Sequence, residues 1–342
     1  MPEIRKDAVL NRWVIFSPER SRRPLHYEWN MVETVRPEEN PFLPGNESYT
    51  PSEVFALRDP QTQPNQPGWK VRVVPNRFPA LRVEGELGRE AVGFYDRMNG
   101  VGAHEVIIET PDPAMALELQ PLAGIADVLT AWRARFLDLS RDSRFRYLML
   151  FKNVGPWAGA SIPHPHSQLV GMPLTPALVK SKLETAKRYF EVKDRNIFED
   201  IIQHERKAGE RMVYENAGFT AFCPFASRFP FEICLMPRRQ SPDFAMLSDH
   251  DLILLADALK RVLMAYRIGL SEPSYNLVLC TAPIRWPRRN YWDTLDQDFR
   301  WHIELLPRLN GIAGFELSTG YHINTTLPEE AAKFLREVEH HV

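Results

Sequence analysis

Hydrophobic residues along this chain recur with two periods, and the switches between them mark its elements. Alternation of period 2, or a short β-branched run, predicts strands at Trp13-Val14-Ile15-Phe16, over His104 to Glu109 (HEVIIE), over Tyr147 to Phe151 and over Asn276 to Leu279. Val71 to Val83 reads as strand, turn, strand. Ile125, Val128, Leu129, Trp132, Phe136 and Leu137 recur at helical spacing, which predicts an amphipathic helix from Leu122 to Ser140. Thr175 as N-cap and Pro176 at the first helical position open a second helix, expected to run to about Val192. A third spans Ser248 to Tyr266 and starts on a capping box of Ser248 and Asp251, imperfect because Glu or Gln is preferred at the second position. Residues 31–70, rich in Pro, Asn, Gln and Glu, read as a long loop, and Asn310 to Asn324 as a short strand or loop.

The second half of this pattern repeats the first. Phe231 to Leu235 answers to the strand at His104, and Phe299 to Glu304 answers to the stretch around His166. Aligned on their faces, His164-x-His166-x-Gln168 becomes Arg300-x-His302-x-Glu304. Such self-similarity suggests two tandem repeats of an α/β unit in one pseudo-symmetric body; the fold class expected, with the family resemblance given below, is α+β, with largely antiparallel sheets flanked by helices. The repeats divide as residues 1–172 and 173–342. The histidine pair is broken in the second copy, which is expected to serve structure or substrate binding.

Candidate chemistry concentrates between Phe151 and Pro173, FKNVGPWAGASIPHPHSQLVGMP. Taken as a strand, this places His164, His166 and Gln168 on one face and Pro165, Ser167 and Leu169 on the other. Pro163 and Pro165 cannot donate ladder hydrogen bonds, so the stretch is an edge strand or the beginning of a strand. Gly155, Gly159 and Ser161 form a small-residue loop whose backbone N–H groups can approach and cradle a phosphate. Two imidazoles beside such a cradle suit metal binding, or nucleophilic attack on phosphorus by a neutral ring. The plainer reading is a pair of hydrogen-bonded histidines on a polar sheet edge.

Composition narrows the field. With 44% hydrophobic and 25% charged residues in 342, the chain is that of a globular protein with one large or two medium domains. A net charge of −2 gives no basic surface for nucleic acid. The three cysteines, Cys223, Cys234 and Cys280, have no C-x-x-C spacing, which fits a reducing compartment. The first residues, MPEIRKDAVLNRW, lack a secretory h-region, and no apolar run is long enough to span a membrane. A cytoplasmic location is the expectation.

Asn153, Gly155, Gly159, Ser161, His164, Pro165, His166 and Gln168 form N-x-G-x3-G-x-S-x2-H-P-H-x-Q. This resembles the active-site motif of galactose-1-phosphate uridylyltransferases, a family of the histidine-triad superfamily that includes an ADP-glucose phosphorylase branch. The resemblance extends from Arg5 to about Arg336 and implies two histidine-triad-like repeats. It implies that His166 is the nucleophile that takes up a nucleoside monophosphate and that Gln168 holds the phosphoryl oxygens, with His164 and Ser161 beside them. It further implies substrate contacts from Arg20 and Arg23, often across a dimer interface, and from Asn153 and Gly159. Asn76, Arg77 and Phe78 answer to the base- and ribose-binding segment, where Phe78 either stacks on the base or belongs to the core. Phe315 and Glu316 match residues that contact the hexose. Lys and Gln of enterobacterial-type members are absent at Asn310 and near His322, and AGFELSTGYHIN looks more like other bacterial members and the phosphorylase branch.

The metal positions depart from the family. Its zinc site uses two Cys, a His after an ESP turn and the first His of H-P-H; this chain offers Asn40, Leu43, Pro113 and His164. Its iron-type site here reads Cys280, Arg300 and His302, with Glu184 a possible carboxylate; Cys280 and His302 could still bind something, but Arg300 is expected to repel a cation at short range. The expectation is an enzyme with no metal cofactor, His164 being held by a protein partner. Three functions follow: a hexose-1-phosphate uridylyltransferase working by a ping-pong route on nucleotide sugars and sugar phosphates, an ADP-sugar phosphorylase with phosphate as acceptor, or a silent nucleotide-binding protein. A homodimer is expected, with no nucleic-acid or membrane partner.

Overall fold

The computed structural model describes residues 2–22, 39–286 and 292–339. In chain order its strands are β1 (Glu3–Lys6), β2 (Trp13–Phe16), β3 (Phe55–Arg58), β4 (Trp69–Pro75), β5 (Glu90–Val92), β6 (Tyr95–Arg97), β7 (Ala103–Ile108), β8 (Tyr147–Val154) and β9 (His166–Met172), with β10 (Met212–Glu215), β11 (Phe219–Phe222), β12 (Ile233–Pro237), β13 (Tyr275–Cys280), β14 (His302–Pro307) and β15 (His322–Asn324) following. The helices are α1 (Leu122–Leu139), α2 (Ala177–Lys193), α3 (Ile197–Ala208), α4 (Asp249–Gly269), α5 (Leu295–Asp298), α6 (Gly314–Thr319) and α7 (Pro328–Glu339).

Ten strands form one antiparallel sheet in the order β10-β11-β12-β14-β13-β8-β9-β7-β4-β3. Read outward from the centre, β8-β9-β7-β4-β3 mirrors β13-β14-β12-β11-β10, so the tandem repeats are real and meet in a continuous sheet. Phe151 lies opposite Gln168, Val278 opposite Glu304, and Phe151 and Val278 face each other across the β8–β13 junction. The pseudo-twofold passes at that pair and relates His166 to His302.

Two apolar layers cover the sheet unequally. On one face α1 and α4 bury Leu150, Leu169, Ile107, Leu277, Ile303 and Leu305 in a single cluster. On the other face α2 and α3 pack Val179, Leu183, Phe198 and Ile202 against Phe222, Cys234 and Met236 of the second repeat. Among the described residues the first repeat has no such pair of helices over its strands, and there the loop carrying Phe42 covers Val106 and Ile108. β9 alternates as expected: Leu169 and Ser167 face α1, where Trp132 Nε1–H donates to Ser167 Oγ at 2.8 Å. Burying Leu169 fully stabilises the fold by about 2 kcal/mol.

Several expectations are corrected. Of the two readings of the proline-flanked stretch, the edge strand fails and the strand start holds: β9 lies inside the sheet, between β8 and β7, and starts at His166, with His164 and Pro165 in the bend before it because neither Pro163 nor Pro165 can donate to a ladder. The expected second strand before Val83 is reduced to one bridge, Arg82 to Val101. β3 lies within the stretch read as loop. Pro176, not Thr175, is at the N-cap of α2, whereas the Ser248–Asp251 box of α4 forms with both reciprocal bonds. The stretch from Asn310 to Asn324 contains α6, started by Glu316 accepting Ala313 N–H and ended by Gly320 in the left-handed region. α3 and α7 were not anticipated.

Candidate active site

His166 opens β9 and is buried, 8% exposed. Its Nδ1 lies 2.8 Å from the His164 carbonyl oxygen, which can only accept, so Nδ1 carries the proton and Nε2 the lone pair. Among the described residues no side chain or backbone group engages that Nε2. Burial is the main cause that lowers the ring's pKa to about 4, with Lys152 and His164 adding to it and the His164 carbonyl opposing. The imidazole is therefore neutral at physiological pH, and further below its ordinary range than a solvent-exposed ring would be.

His164 supplies the carbonyl that fixes His166, and is itself locked at both nitrogens. Nε2–H donates to Thr110 O at 2.7 Å, and Nδ1 accepts from Asn40 Nδ2 at 3.1 Å. The amide of Asn40 cannot be flipped, since its Oδ1 accepts Phe42 N–H at 3.0 Å. Phe42 then sets its ring edge-on to both imidazoles, at centroid distances of 5.9 and 5.3 Å. The zinc implied by family resemblance does not fit here. Leu43 and Pro113 offer no ligand atom, Asn40 is a poor ligand, and both nitrogens of His164 are engaged by protein groups.

Gln168 stands two residues along the same face as His166, next to a residue the sequence showed only as part of a strand. His104 Nδ1 accepts Ala80 N–H at 3.1 Å, so its Nε2 bears the proton and donates to Gln168 Oε1 at 2.8 Å. This orients the Gln168 amide with its NH2 turned away from His104. β7 pairs Val106 with Gln168, which puts His104 on the diagonal of the same face. A polar residue sharing the face of Val106 was the available signal. Asn76 Nδ2 approaches His104 Nε2 at 3.2 Å, and its Oδ1 accepts Phe78 N–H.

The small-residue loop lies at the end of β8. Gly155 and Gly159 have φ of 78° and 83°, the left-handed region that disfavours a side chain, and a Cβ on Gly155 would also overlap Ser274. Asn153 Oδ1 accepts from Asn276 Nδ2 at 2.8 Å, and Asn276 also donates to the Ala158 carbonyl at 2.9 Å. Ser161 and Gly159 are exposed on the loop. A cavity of about 110 Å³ joins this loop to His164 and His166. Behind it Lys152 and Glu109, both buried, pair at 2.7 Å, and the ammonium also donates to the His166 carbonyl at 3.2 Å. Neither was singled out from sequence.

The structure thus brings His164, His166, Gln168, Asn153, Gly159, Ser161 and Asn76 to one side of the first repeat. Arg77 and Phe78 flank Asn76 at the surface; Phe78 is 83% exposed and is not a core residue. Arg20 is exposed on the short helical turn after β2, and Arg23 lies outside the described residues. Phe315 and Glu316 sit on α6, next to β15, which joins β2 and β1 in a separate three-stranded sheet. Among the described residues no hydrogen bond or ring contact links α6 to β9.

The second repeat carries a different arrangement. Glu184 does not reach His302; it is exposed on α2 and pairs with Lys180. Arg300 turns away into a fully buried pocket, donating to the Pro237 and Arg238 carbonyls and pairing with Glu199. The cation at His302 is Lys182 of α2, whose Nζ lies 2.8 Å from His302 Nε2. Cys280, His302 and Glu304 surround it. A cavity of about 620 Å³ opens on this cluster and not on His166. At His166, by contrast, the Nε2 lone pair meets no described group and the small-residue loop stands beside the ring.

A duplicated α+β sheet with H-P-H-x-Q leading into one of its two equivalent strands defines a histidine-triad-type protein. Sequence comparison agrees: "Galactose-1-phosphate uridyl transferase, N-terminal domain" matches residues 1–176 and the corresponding C-terminal domain residues 182–341. ADP-glucose phosphorylase of Arabidopsis thaliana is 34% identical over 98% of this chain and 93% of its own length. Galactose-1-phosphate uridylyltransferase of Thermotoga maritima is 28% identical over 99% of both. The crystal structure of the Arabidopsis ADP-glucose phosphorylase with bound ADP-glucose superposes with a TM-score of 0.84 over 98% of each chain. A solved uridylyltransferase, 27% identical, covers 100% of this chain and 99% of its own at 0.75. The chain belongs to the galactose-1-phosphate uridylyltransferase family.

Proposed function

We propose that this protein is a nucleotidyltransferase acting on nucleotide sugars and hexose 1-phosphates through a covalent nucleotidyl group on His166. The observation that carries the reading is the tautomer: Nδ1–H is tied to the His164 carbonyl and Nε2 is free. In the first step Nε2 attacks the α-phosphorus of the nucleotide sugar. The bond from that phosphorus to the bridging oxygen breaks, and hexose 1-phosphate leaves with the electron pair. The ring becomes cationic, and its Nδ1–H bond to the carbonyl strengthens accordingly. In the second step an acceptor phosphate oxygen attacks the same phosphorus and returns the lone pair to Nε2. Gln168, turned by His104, offers its NH2 to the phosphoryl oxygens. As a neutral amide it cannot protonate the intermediate and so does not assist water.

Uridylyl transfer between hexose 1-phosphates has the family and most of the cited relatives in its favour. Adenylyl transfer from ADP-glucose to inorganic phosphate has a specific observation too, the higher identity and TM-score of the Arabidopsis phosphorylase. Incubation with UDP-glucose, UDP-galactose and ADP-glucose separately, followed by intact mass, separates them. A UMP adduct identifies the first, an AMP adduct the second, and His166→Ala abolishes either. Turnover without any adduct, or an adduct that survives His166→Ala, refutes the mechanism.

We further propose that the enzyme works without bound metal, is cytoplasmic and is a homodimer. No helix among the described residues is long and apolar enough to cross a membrane, and Cys223, Cys234 and Cys280 are unpaired. Exposed Arg20 and Phe315 and half-buried Glu316 make no hydrogen bond or ring contact with β9 among the described residues, and in the dimer we propose a partner subunit brings their counterparts to His166. Sedimentation, together with loss of activity in Phe315→Ala without loss of the adduct, checks this arrangement.

A further inference from the structure

His302 repeats the chemistry of His166 up to the last atom. Its Nδ1–H donates to the Arg300 carbonyl at 3.0 Å, as His166 donates to the His164 carbonyl, and its Nε2 lone pair points out from the same face of the sheet. The difference is what meets the lone pair. Here α2 delivers Lys182, whose ammonium lies 2.8 Å from His302 Nε2, 2.5 Å from Glu304 Oε1 and 3.3 Å from Cys280 Sγ. Imidazole nitrogen, carboxylate oxygen and sulfur are donors typical of a transition-metal site, and the three atoms lie within 4.8 Å of one another. His302 Nε2 and Glu304 Oε1 are 3.8 Å apart. A tetrahedral ion with bonds of about 2.0–2.3 Å holds its ligand atoms about 3.3–3.8 Å apart, so the set needs little movement to close.

We infer that Lys182 is a built-in cation occupying the centre of a three-ligand metal pocket, and that removing its ammonium opens Cys280, His302 and Glu304 to a divalent transition ion. The pocket has what such an ion needs besides donors. The cavity of about 620 Å³, lined among others by Phe198, Phe222 and Met236, reaches Lys182, His302 and Glu304 and gives an ion a path. A water completes the coordination, as at three-ligand zinc sites. Charge balance is already met with lysine in place, because Glu304 also accepts from Arg228 at 2.7 Å and Arg228 pairs with Glu232. The inference rests on this cluster alone and does not depend on the reaction assigned to His166.

Zn2+ and Co2+ binding by the parent, Lys182→Ala, Lys182→Met and the double variant Lys182→Ala/Cys280→Ser tests it. After equilibration and desalting, Lys182→Ala is expected to hold one metal per chain, at least about 100-fold more tightly than the parent, since the repulsion of a neighbouring positive charge is gone. The Co2+ form is expected to show a thiolate-to-metal absorption band that the double variant lacks. Lys182→Met, which removes the charge but leaves much of the space filled, is expected to bind more tightly than the parent and less tightly than Lys182→Ala. If Lys182→Ala is unstable, Zn2+ is expected to raise its melting temperature and not that of the parent. Stoichiometric metal in the parent that Cys280→Ser removes overturns the inference. So does a Lys182→Ala protein that neither binds nor is stabilised by either ion.

Discussion

Asn40→Leu is the sharpest probe of how the nucleophile is held. The substitution keeps the approximate volume and removes two hydrogen bonds, Asn40 Nδ2–H to His164 Nδ1 and Phe42 N–H to Asn40 Oδ1. Asn40 and His164 are 4% and 1% exposed, so water does not replace what is lost. Leaving a buried polar group unsatisfied costs about 1–3 kcal/mol, and two such groups cost about 2–4 kcal/mol after partial relaxation. For 342 residues the unfolding entropy is on the order of 0.7 kcal/mol/K, which converts the loss into a fall in Tm of about 3–6 °C. Function should fall further than stability. His164 freed at Nδ1 can rotate, and its backbone carbonyl no longer fixes the tautomer of His166. Calorimetry gives the first quantity. Single-turnover formation of the nucleotidyl adduct, followed by mass, gives the second, with the rate expected to drop about tenfold or more while donor affinity holds. A Tm within a degree of the parent and an unchanged adduct rate would refute the idea that Asn40 holds the histidine strand in place.

Four further outcomes follow. Gln168→His should slow transfer and raise hydrolysis of the nucleotide sugar in the absence of acceptor; a constant hydrolysis-to-transfer ratio argues against the neutral-amide role. His104→Ala frees the Gln168 amide to turn, and a hydrogen bond worth about 0.5–1.5 kcal/mol predicts a loss of about 2- to 10-fold in transfer rate, with His104→Gln retaining more; equal rates in all three proteins would mean that something else orients Gln168. Because His166 has its pKa lowered to about 4, adduct formation should stay flat as pH falls from 8 towards 5 and be lost only as the ring protonates near 4, whereas an acid limb near 6.5 would contradict the buried, neutral ring. The same shift has a sign for stability: the unfolded ring binds its proton first, so stability contributed by His166 is complete above about 6.5 and declines as pH falls from there to about 4. Lys152→Met strands the buried Glu109 carboxylate and should cost about 3–5 kcal/mol in urea unfolding, largely recovered by adding Glu109→Gln; an equal loss in the double variant would assign the damage to packing.

The duplication was legible because hydrophobic periods and face alternation survive in both halves, and so the match of His302 to His166 came from sequence alone. The motif likewise identified β9 and its loop, since small residues and paired histidines at fixed spacing leave few other geometries. What sequence did not show was partnership at long range. Asn40 was read through the ligand it fails to be, and its bond to a residue 124 positions away appears only once the loop folds back. Lys182 and Glu184 both lie on α2, and the sequence pattern did not say which one points inward. The family pattern drew attention to the carboxylate, but helix phase sends Lys182 into the cluster and Glu184 into solvent. α6 was missed because a six-residue helix with no buried side chain leaves no apolar stripe to read.

The hydrogen bonds from Asn276 to Asn153 and Ala158, with Ser274 pressed against Gly155, mean that the small-residue loop of one repeat is walled by a strand of the other. The active repeat is therefore not a module that can be cut out. A fragment ending near residue 172 would keep every residue of the motif and lose the surface that shapes its loop. The second repeat acts as a mould for the first: β13 and the residue before it shape the loop from outside the motif. In a series of relatives, covariation between positions 153 and 276, and between 155 and 274, is where that inherited dependence should be written.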